Sequence, residues 1–541
     1  MEKKIWMGLT VLVLLLIGTS FAWWYWNSTT NTNISLTING VDVTYIGGSD
    51  ITGVNLIPVS SKEKGIADNT AIEKVVTASS TATTYMNLYL TLETLPDGLK
   101  DKSFVYEVYN GADLVGKGNF KSYNQGDKVQ IASAQKITSS QTSFQLYIWI
   151  DGNVDNPSSM MNQTFKFVLS ADASDNNPSQ QTLTKLGVSS INTLTPDFSK
   201  VPYITKEQAQ SDMTTWCNLY DRYDDLASCI SDRYNASTFD EVWATGYVSA
   251  VDDNGIFAAE DDLGTSYYYR GNVENNYVYF ANAYWRIIRI NGDGTIRIIY
   301  DGPTKKHNGV YGTDNKVTDV KYNENHNDNA YVGYMYGTPT SDYTNTHKNT
   351  TSSTIKQTVD KWYEDTIIAG GYDKYIADAI YCNDRKVETG TVYGDSYSGT
   401  GISKEVSLYA PTNRVTSLTP TLKCSQDNDK FSTTALGNGD LTYPVGLITI
   451  DEAIMAGTTS SFYRTETNYP SGYSYLTMGA WYWTMSPFGF YGDYADVWSV
   501  GFGISRSDDV DYSYGLRPVV SLKSDTTFSG NGSYEQPFTI S

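Results

Sequence analysis

Basic residues are scarce in this chain. It contains 39 lysines and arginines against 60 aspartates and glutamates, which gives a net charge of -21. A protein with that excess of negative charge repels the phosphate backbone of DNA and RNA. We therefore do not expect nucleic acid as a partner.

Cysteine and histidine are also scarce. The chain has four cysteines and three histidines: Cys217, Cys229, Cys382, Cys424, His307, His326 and His347. The absence of a Cys-x-x-Cys pair argues against zinc ribbons and thioredoxin-type redox chemistry. The histidines share a polar, Asn-rich stretch and lack the spacing of a helical metal site, so solvated loop histidines are expected. The sequence predicts no metal and no cofactor.

Beyond residues 1–26, the chain lacks an apolar run that could span a bilayer. Lys3 and Lys4 precede the run, and a group of tryptophans and tyrosine closes it, an order typical of a signal anchor that leaves the rest of the chain outside the cell. Residues 20–22 (Ser-Phe-Ala) also fit a signal-peptidase site, which would make the protein secreted. We predict a single-pass cell-membrane protein whose C-terminal bulk lies outside.

An exported location permits disulfides. Four cysteines allow three connectivities, and proximity in the sequence favours Cys217 with Cys229 and Cys382 with Cys424.

Tyrosine is what the chain has in excess, with 44 tyrosines against 17 phenylalanines. A tyrosine side chain offers a large stacking face and a hydroxyl, which suits contact surfaces. At 541 residues the chain is too long for one hydrophobic core. A multidomain binding protein is the expectation.

Alternating apolar and polar residues fill the first part of the chain after residue 26. Residues 85–92 carry methionine and leucines on one face and tyrosine, asparagine and threonine on the other, and residues 144–150 repeat the pattern. Such alternation is typical of strands with one buried face. Residues 30–173 are therefore predicted to form a jelly-roll-like β-sandwich.

The rest of the chain divides at about residue 241. Residues 174–240 are predicted to be a linker and a short helical segment. In residues 241–541, two apolar runs flank Asn-Gly-Asp-Gly at 291–294, which predicts a hairpin, and helices are expected at 353–368 and 450–456. The predicted fold class is mainly β with a few helices, and the C-terminal domain is α+β.

Two segments of the first domain support a resemblance. Residues 146–152 read Leu-Tyr-Ile-Trp-Ile-Asp-Gly and residues 163–167 read Gln-Thr-Phe-Lys-Phe. With the anchor, they look like the camelysin-type surface and biofilm fibre proteins, whose implied fold is the jelly-roll-like sandwich. The proteolytic activity claimed for that family is not carried over, because this segment contains no metal-ligand pattern.

Two motifs near the C-terminus support a second resemblance. Residues 483–487 read Trp-Thr-x-Ser-Pro, and residues 515–519 read Gly-x-Arg-Pro-Val. They resemble strands of the C-type-lectin-like fold shared by formylglycine-generating-type domains and the target proteins of diversity-generating retroelements. The resemblance covers about residues 241–541. It implies a stable scaffold with a changeable ligand face between the two strands, while Arg517 is expected to be structural.

The residues between those motifs are mostly aromatic, acidic or small, a composition that antibody loops use for recognition. The predicted ligand-binding face consists of Phe488, Phe490, Tyr491, Asp493, Tyr494, Asp496, Arg506, Asp508, Asp509, Asp511 and Tyr512. The alternative is a core strand with ordinary loops.

The sequence supports a catalytic function less well than a binding function. Residues 394–399 approach a nucleophile elbow but lack its second glycine, and the hairpin turn accounts for the calcium-like oxygens at 290–295. The calcium motifs of sugar-binding C-type lectins are absent, and no cysteine follows Cys424 where formylglycine-generating enzymes have their redox pair. The sequence predicts no enzyme.

The leading hypothesis is a membrane-anchored receptor or adhesin that binds an unknown protein or glycan at the cell surface. The first alternative is a structural subunit of a surface fibre or biofilm matrix. A hydrolase with an unrecognised site is the second.

Overall fold

The fold is known from a computed structural model of the chain. The residues that it describes are 33–38, 41–46, 56–121, 123–152, 160, 163–174, 177–198, 205–218, 223–244, 253–308, 314–339, 343–388, 390–392, 395–397, 407–434, 436–460, 474–477, 480–491, 494–501 and 504–540. They form a mainly β protein with a few helices, as the sequence predicts. The chain divides into two compact units, Met1–Pro178 and Ser179–Ser541.

The described residues of the first unit lie mostly in strands. They are β1 (Asn33–Ile38), β2 (Val41–Ile46), β3 (Pro58–Val59), β4 (Ile72–Ser80), β5 (Thr84–Thr94), β6 (Phe104–Asn110), β7 (Asp113–Asn119), β8 (Lys128–Ile137), β9 (Thr142–Asp151) and β10 (Lys166–Ser174). Helix α1 (Lys62–Ala67) and a 3-10 turn at Asp97–Leu99 belong to the same unit.

These strands form two sheets around one core. One sheet has the order β1-β2-β4-β9-β6-β7, with β3 added to β9, and the other has the order β10-β5-β8. Inward residues of both sheets, such as Val76, Leu88 and Leu146, belong to one buried cluster. Along β5 buried and half-buried residues alternate from Thr84 to Leu92, because successive side chains of a strand point to opposite faces.

The second unit has short helices and many strands. The helices are α2 (Pro178–Lys185), α3 (Lys206–Asn218), α4 (Leu226–Tyr234), α5 (Phe239–Ala244), α6 (Tyr343–Thr346), α7 (Thr354–Trp362), α8 (Ala410–Ser417) and α9 (Ile450–Met455). The longer or sheet-forming strands are β11 (Gly255–Asp261), β12 (Gly264–Arg270), β13 (Tyr277–Phe280), β14 (Ala283–Ile290), β15 (Ile296–Gly302), β16 (Asp319–Lys321), β17 (Met335–Tyr336), β18 (Thr351–Ser352), β19 (Ile376–Ala377), β20 (Tyr381–Cys382), β21 (Val387–Glu388), β22 (Gly390–Val392), β23 (Asp395–Tyr397), β24 (Ser407–Tyr409), β25 (Lys430–Phe431), β26 (Thr459–Ser460), β27 (Tyr482–Tyr491), β28 (Tyr494–Gly501), β29 (Ile504–Asp509), β30 (Ser513–Gly515), β31 (Val519–Leu522), β32 (Phe528–Ser529) and β33 (Phe538–Ile540).

Two large sheets form the body of this unit. One has the order β19-β31-β15-β14-β13-β33-β32, with β12 and then β11 attached to β14. The other has the order β16-β30-β27-β28-β29-β26, with β24 and then β21 attached to β27. Trp285 of the first sheet and Trp483 of the second are fully buried in the same core cluster.

The predicted hairpin is present as β14 and β15. The Gly294 N–H donates to the Asn291 carbonyl (2.8 Å), and Gly294 has a φ of 85°, which glycine adopts without the steric cost that a Cβ would add. Helix α7 also matches its predicted apolar stripe: Ile355 and Val359 are buried. Its continuation to residue 368 is not α-helical but a wider π-helical turn, Tyr363–Ile368.

Residues 174–240 contain more structure than the prediction of a linker and one short helix. Helix α2 begins with a proline, which fits a helix start, and Leu183 and Leu186 bury their side chains in the core of the second unit. Further on, α3, α4 and α5 share a small core of their own. Two helices stand where one was predicted, because Asp225 caps α4 by accepting from the Ser228 N–H (2.7 Å).

The structure contains both disulfides that proximity in the sequence favours. Cys217 is bonded to Cys229 across 12 residues, and Cys382 is bonded to Cys424 across 42 residues. The first joins α3 to α4. The second joins β20 to the segment after α8.

Replacing both Cys382 and Cys424 with serine should lower the free energy of unfolding by about 2–4 kcal/mol, because the disulfide restricts the unfolded chain. The loss should exceed that of the Cys217→Ser, Cys229→Ser control, since the control opens a shorter loop. Urea unfolding followed by tryptophan fluorescence measures both changes. Free thiols at both positions, in protein purified under oxidising conditions, would contradict the pairing.

The predicted membrane anchor, residues 1–26, lies outside the described residues. Among the residues whose placement the structure describes, no helix combines the length and apolarity needed to cross a bilayer.

Candidate functional site

The predicted ligand face lies on three consecutive antiparallel strands, β27, β28 and β29, in the second large sheet. β28 is in the middle and pairs with both neighbours, for example Gly489 with Asp496 and Asp496 with Asp509. β28 is buried from Ala495 to Gly501. The strands therefore form a scaffold with little exposed surface, except at one end.

Four of the eleven predicted ligand residues are buried, which corrects their assignment to the face. Phe490 is fully buried, and Phe488 packs edge-on against the buried Trp498 with ring centroids 5.4 Å apart. Asp496 and Asp508 are also buried. None of the four side chains therefore has the exposed surface that contact with a ligand requires.

Asp508 is buried because its charge is compensated locally. It accepts hydrogen bonds from Ser499 Oγ (2.5 Å), from Arg506 Nε (2.9 Å) and from the Tyr514 hydroxyl (3.1 Å). Arg506 also donates to the Tyr514 hydroxyl (2.6 Å), and its guanidinium lies 3.9 Å from the ring centre of Trp481. Burial raises the pKa of Asp508, although its hydrogen bonds oppose that shift. Arg506 is thus committed to the scaffold more than to a ligand.

Two exposed tyrosines of the predicted face and three half-buried side chains lie together at one end of the sheet. We call this group, Tyr494, Asp509, Asp511, Tyr512 and His326, the tyrosine patch. Tyr494 and Tyr512 are 46% and 49% exposed, which is unusual for large aromatic side chains in this protein. Asp509 begins the turn after β29, where the Tyr512 N–H donates to the Asp509 carbonyl (3.0 Å). The patch is small, aromatic and acidic.

His326 joins the patch from a distant part of the chain. Its ring stacks on Tyr494 with centroids 4.9 Å apart and planes 15° apart, and its Nδ1 lies 3.1 Å from Asp511 Oδ2. The Ala495 N–H donates to the His326 carbonyl (2.8 Å), which fixes the loop to β28. The sequence predicts that His326 is a solvated loop residue. No local signal reveals a contact across 185 residues with Asp511.

The electrostatic potential around the tyrosine patch is negative. The pKa of the Tyr512 hydroxyl is raised, chiefly by the charge of Asp509, with further contributions from Asp508 and Asp511. Two predicted residues cannot be placed in it: Asp493 lies outside the described residues, and the structure does not describe the side chain of Tyr491.

The sequence did not predict a buried network of charges beside the Cys382–Cys424 disulfide. Arg289 binds Asp261 (2.6 Å) and Glu452 (2.9 Å), and Arg297 lies 2.7 Å from the same Glu452 oxygen. They surround a cavity of about 30 Å³, which has room for about two water molecules. A cavity of that size is too small for an organic ligand, and both of these arginines are paired with acidic residues that line it.

A second, neighbouring group of ion pairs is centred on Arg414. Arg414 donates to both oxygens of Asp451 (2.7 and 2.9 Å) and to Asp384 (2.9 Å), and the Thr421 N–H also donates to Asp451. The Asp451 carboxylate therefore connects α8, α9 and the segment that leads to Cys424.

The described residues contain no group of three histidine, cysteine or acidic side chains that could hold a metal ion. His307 stacks on Tyr534 with centroids 3.5 Å apart. His347 is buried, and burial lowers its pKa to about 3, so its ring is neutral at physiological pH. Its Nδ1 donates to the Tyr343 carbonyl (2.7 Å).

The chain was compared with known proteins. No family model matches it, and a search of curated proteins found no match.

Proposed function

We propose that this protein is a cell-surface ligand-binding protein, a receptor or adhesin, and that the tyrosine patch is its recognition site. The observation that carries the proposal is the convergence of exposed tyrosines and half-buried acidic groups from separate segments on the end of a buried sheet. Rings that lie on a rigid support lose little entropy when they bind, which is why such residues serve as interface anchors.

The arrangement of the two C-terminal motifs supports the C-type-lectin-like fold as part of this proposal. Residues 483–487 lie inside β27, and residues 515–519 run from β30 into β31. Tyr482, just before the first motif, pairs in parallel with Gly515 of the second. Both motifs are buried, as a scaffold requires, while the patch stands between them in the sequence. The membrane anchor at residues 1–26 and a jelly-roll topology for the first unit are part of the same proposal.

The double substitution Tyr494→Ala, Tyr512→Ala tests the proposal. Both side chains are exposed, so the free energy of unfolding should change by no more than about 0.5 kcal/mol for each. Ligand binding should weaken by more than about 2 kcal/mol, or about thirtyfold in Kd, because aromatic anchors dominate binding at interface centres. The measurement is the Kd for peptides or glycans selected from display libraries on the unmodified full chain.

Tyr279→Ala is the matched control, because Tyr279 is exposed but lies on β13 in the other sheet. It should bind selected ligands as the unmodified chain does. Equal binding by the patch variant and the control would refute the assignment of the site. Extended fibres of the purified chain in electron micrographs would instead favour the structural subunit of a surface fibre.

A further inference from the structure

A groove of about 470 Å³ opens on the second unit, and its lining shares no residue with the tyrosine patch. We call it the amide groove. Its polar lining consists of Ser189, Ser190, Asn192, Asn254, Asn275 and Asn531. A volume between about 300 and 1,000 Å³ is typical of small-molecule sites. The groove therefore has the size for a ligand that the cavity beside Glu452 lacks.

The walls of the groove are held by hydrogen bonds. The Asn192 N–H donates to the Ile256 carbonyl at the edge of β11 (2.7 Å), and Asn192 Nδ2 donates to the Asn254 carbonyl (3.2 Å). Asn254 Oδ1 in turn accepts from the Asn272 N–H (3.0 Å). On the other side, Asn531 lies in a turn where its Oδ1 accepts from the Ser533 N–H (3.1 Å). The groove is thus a preformed shape.

Several polar side chains of the groove do not take part in these hydrogen bonds. Ser189, Ser190, Asn275 and Asn531 are all exposed. Within the described part of the chain, the first three side chains form no hydrogen bond with the protein and Asn531 Nδ2 donates to none, so a ligand would exchange only water for these contacts. Hydroxyl and amide groups together supply donors and acceptors side by side. A ligand that both donates and accepts at each of its groups matches them best.

The described residues that line the groove are uncharged, although the whole chain carries a net charge of -21. Val188 and Ile191, which are half-buried, provide apolar surface between the polar groups, while Ile256 and Val273 lie behind them in the core. A charged ligand would lose its hydration here without gaining an ion pair, whereas a neutral ligand with hydroxyls and C–H faces would be accommodated.

We propose that the amide groove binds neutral sugar residues of a glycan. A sugar hydroxyl donates and accepts at once, as the serine and asparagine groups do, and the C–H face of a sugar ring can lie on the valine and isoleucine side chains. A neutral peptide fits less well. A peptide strand would need the free edge of β11, and the Ile256 carbonyl on that edge already accepts from Asn192.

The test begins with the full chain, purified in a detergent without a sugar headgroup, on an array of neutral, sialylated and sulfated glycans and neutral peptides. Neutral glycans should bind, and the anionic glycans should bind at least about tenfold more weakly, because no lysine or arginine is among the described residues that line the groove. Binding of neutral peptides alone, or of no neutral glycan, would overturn the proposal.

Variants then locate the site for the neutral glycan with the strongest array signal. Asn275→Ala with Asn531→Ala should weaken binding by at least about tenfold, because two hydrogen-bonding amides are lost. Ser190→Trp should abolish binding by filling the groove. Asn413→Ala on the exposed side of α8 is the matched control and should bind normally. Circular dichroism melting confirms that each variant is folded.

The tyrosine-patch variant separates this proposal from the preceding one, since it should leave glycan binding in the groove unchanged. If glycan binding is lost in the patch variant and kept in both groove variants, the sugar site is the patch, and the amide groove is refuted.

Discussion

Replacing Glu452 with alanine is expected to lower the free energy of unfolding by about 3–5 kcal/mol. Glu452 is buried and lies between Arg289 and Arg297, so its removal leaves two buried guanidinium groups with too little negative charge around them. Its other oxygen accepts from the Thr449 N–H (2.9 Å) in the capping box that begins α9. The variant therefore loses an ion network and a helix cap together.

Two further variants separate these contributions. Glu452→Gln keeps the side-chain length and one side-chain oxygen but removes the charge. It should therefore be less destabilising than Glu452→Ala, but the protein should still be clearly less stable than the unmodified chain. Glu535→Ala removes an exposed glutamate and should stay within about 0.5 kcal/mol of the unmodified chain. Urea unfolding, monitored by the buried tryptophans, gives all three values. Equal stability of Glu452→Ala and Glu535→Ala would show that the network contributes nothing.

Arg517→Ala should lower the free energy of unfolding by about 3–5 kcal/mol. The physical reason is the same as for Glu452, with the charges reversed. Arg517 is fully buried, donates to Asp301 (3.0 Å) and to the carbonyls of Tyr300 and Leu476, and lies over the ring of Tyr482 at 4.7 Å. Its loss leaves the Asp301 carboxylate inside the protein without its cation. The same unfolding measurement applies.

The control for Arg517 is Lys361→Ala, which removes an exposed ion pair with Asp365. Exposed pairs contribute about 0–1 kcal/mol, so this variant should barely change stability. A variant Arg517→Ala that keeps its full stability while ligand binding is lost would place Arg517 in the binding surface. The division between scaffold and patch would then be wrong.

Features with a local cause could be predicted from the sequence. The alternation along β5 and the turn residues between β14 and β15 each describe a single element, and their signals lie within that element. The disulfides are also local, because the paired cysteines are near each other in the chain. The role of Arg517 followed from the high cost of burying a charge without a partner.

Some residues of the predicted ligand face are buried, and the reason that the sequence did not indicate this is different. Consecutive acidic residues favour an exposed surface, because an unpaired buried charge is unfavourable. Asp508 is nevertheless buried with Arg506, two residues before it on the same strand face. That period-two spacing was available in the sequence and could have indicated the pair. The identity of its other partner, Tyr514, depends on how β30 returns to the sheet.

Contacts between distant segments could not be predicted. Arg289 and Glu452 are separated by 163 residues, and no pattern around either residue identifies the other. The same holds for His326 in the tyrosine patch and for the amide groove, whose lining comes from the segment after α2, the start of β11, the segment between β12 and β13, and the turn before β33. Such sites exist only after the sheets have formed.

The burial of β28 has a consequence for engineering. Its side chains from Ala495 to Gly501 belong to the interior, whereas Tyr494 at its first residue and Tyr512 beyond β29 face solvent. Positions 494, 509, 511 and 512 can therefore be randomised together in a display library without altering the core. The domain would then serve as a scaffold from which binders for chosen targets are selected.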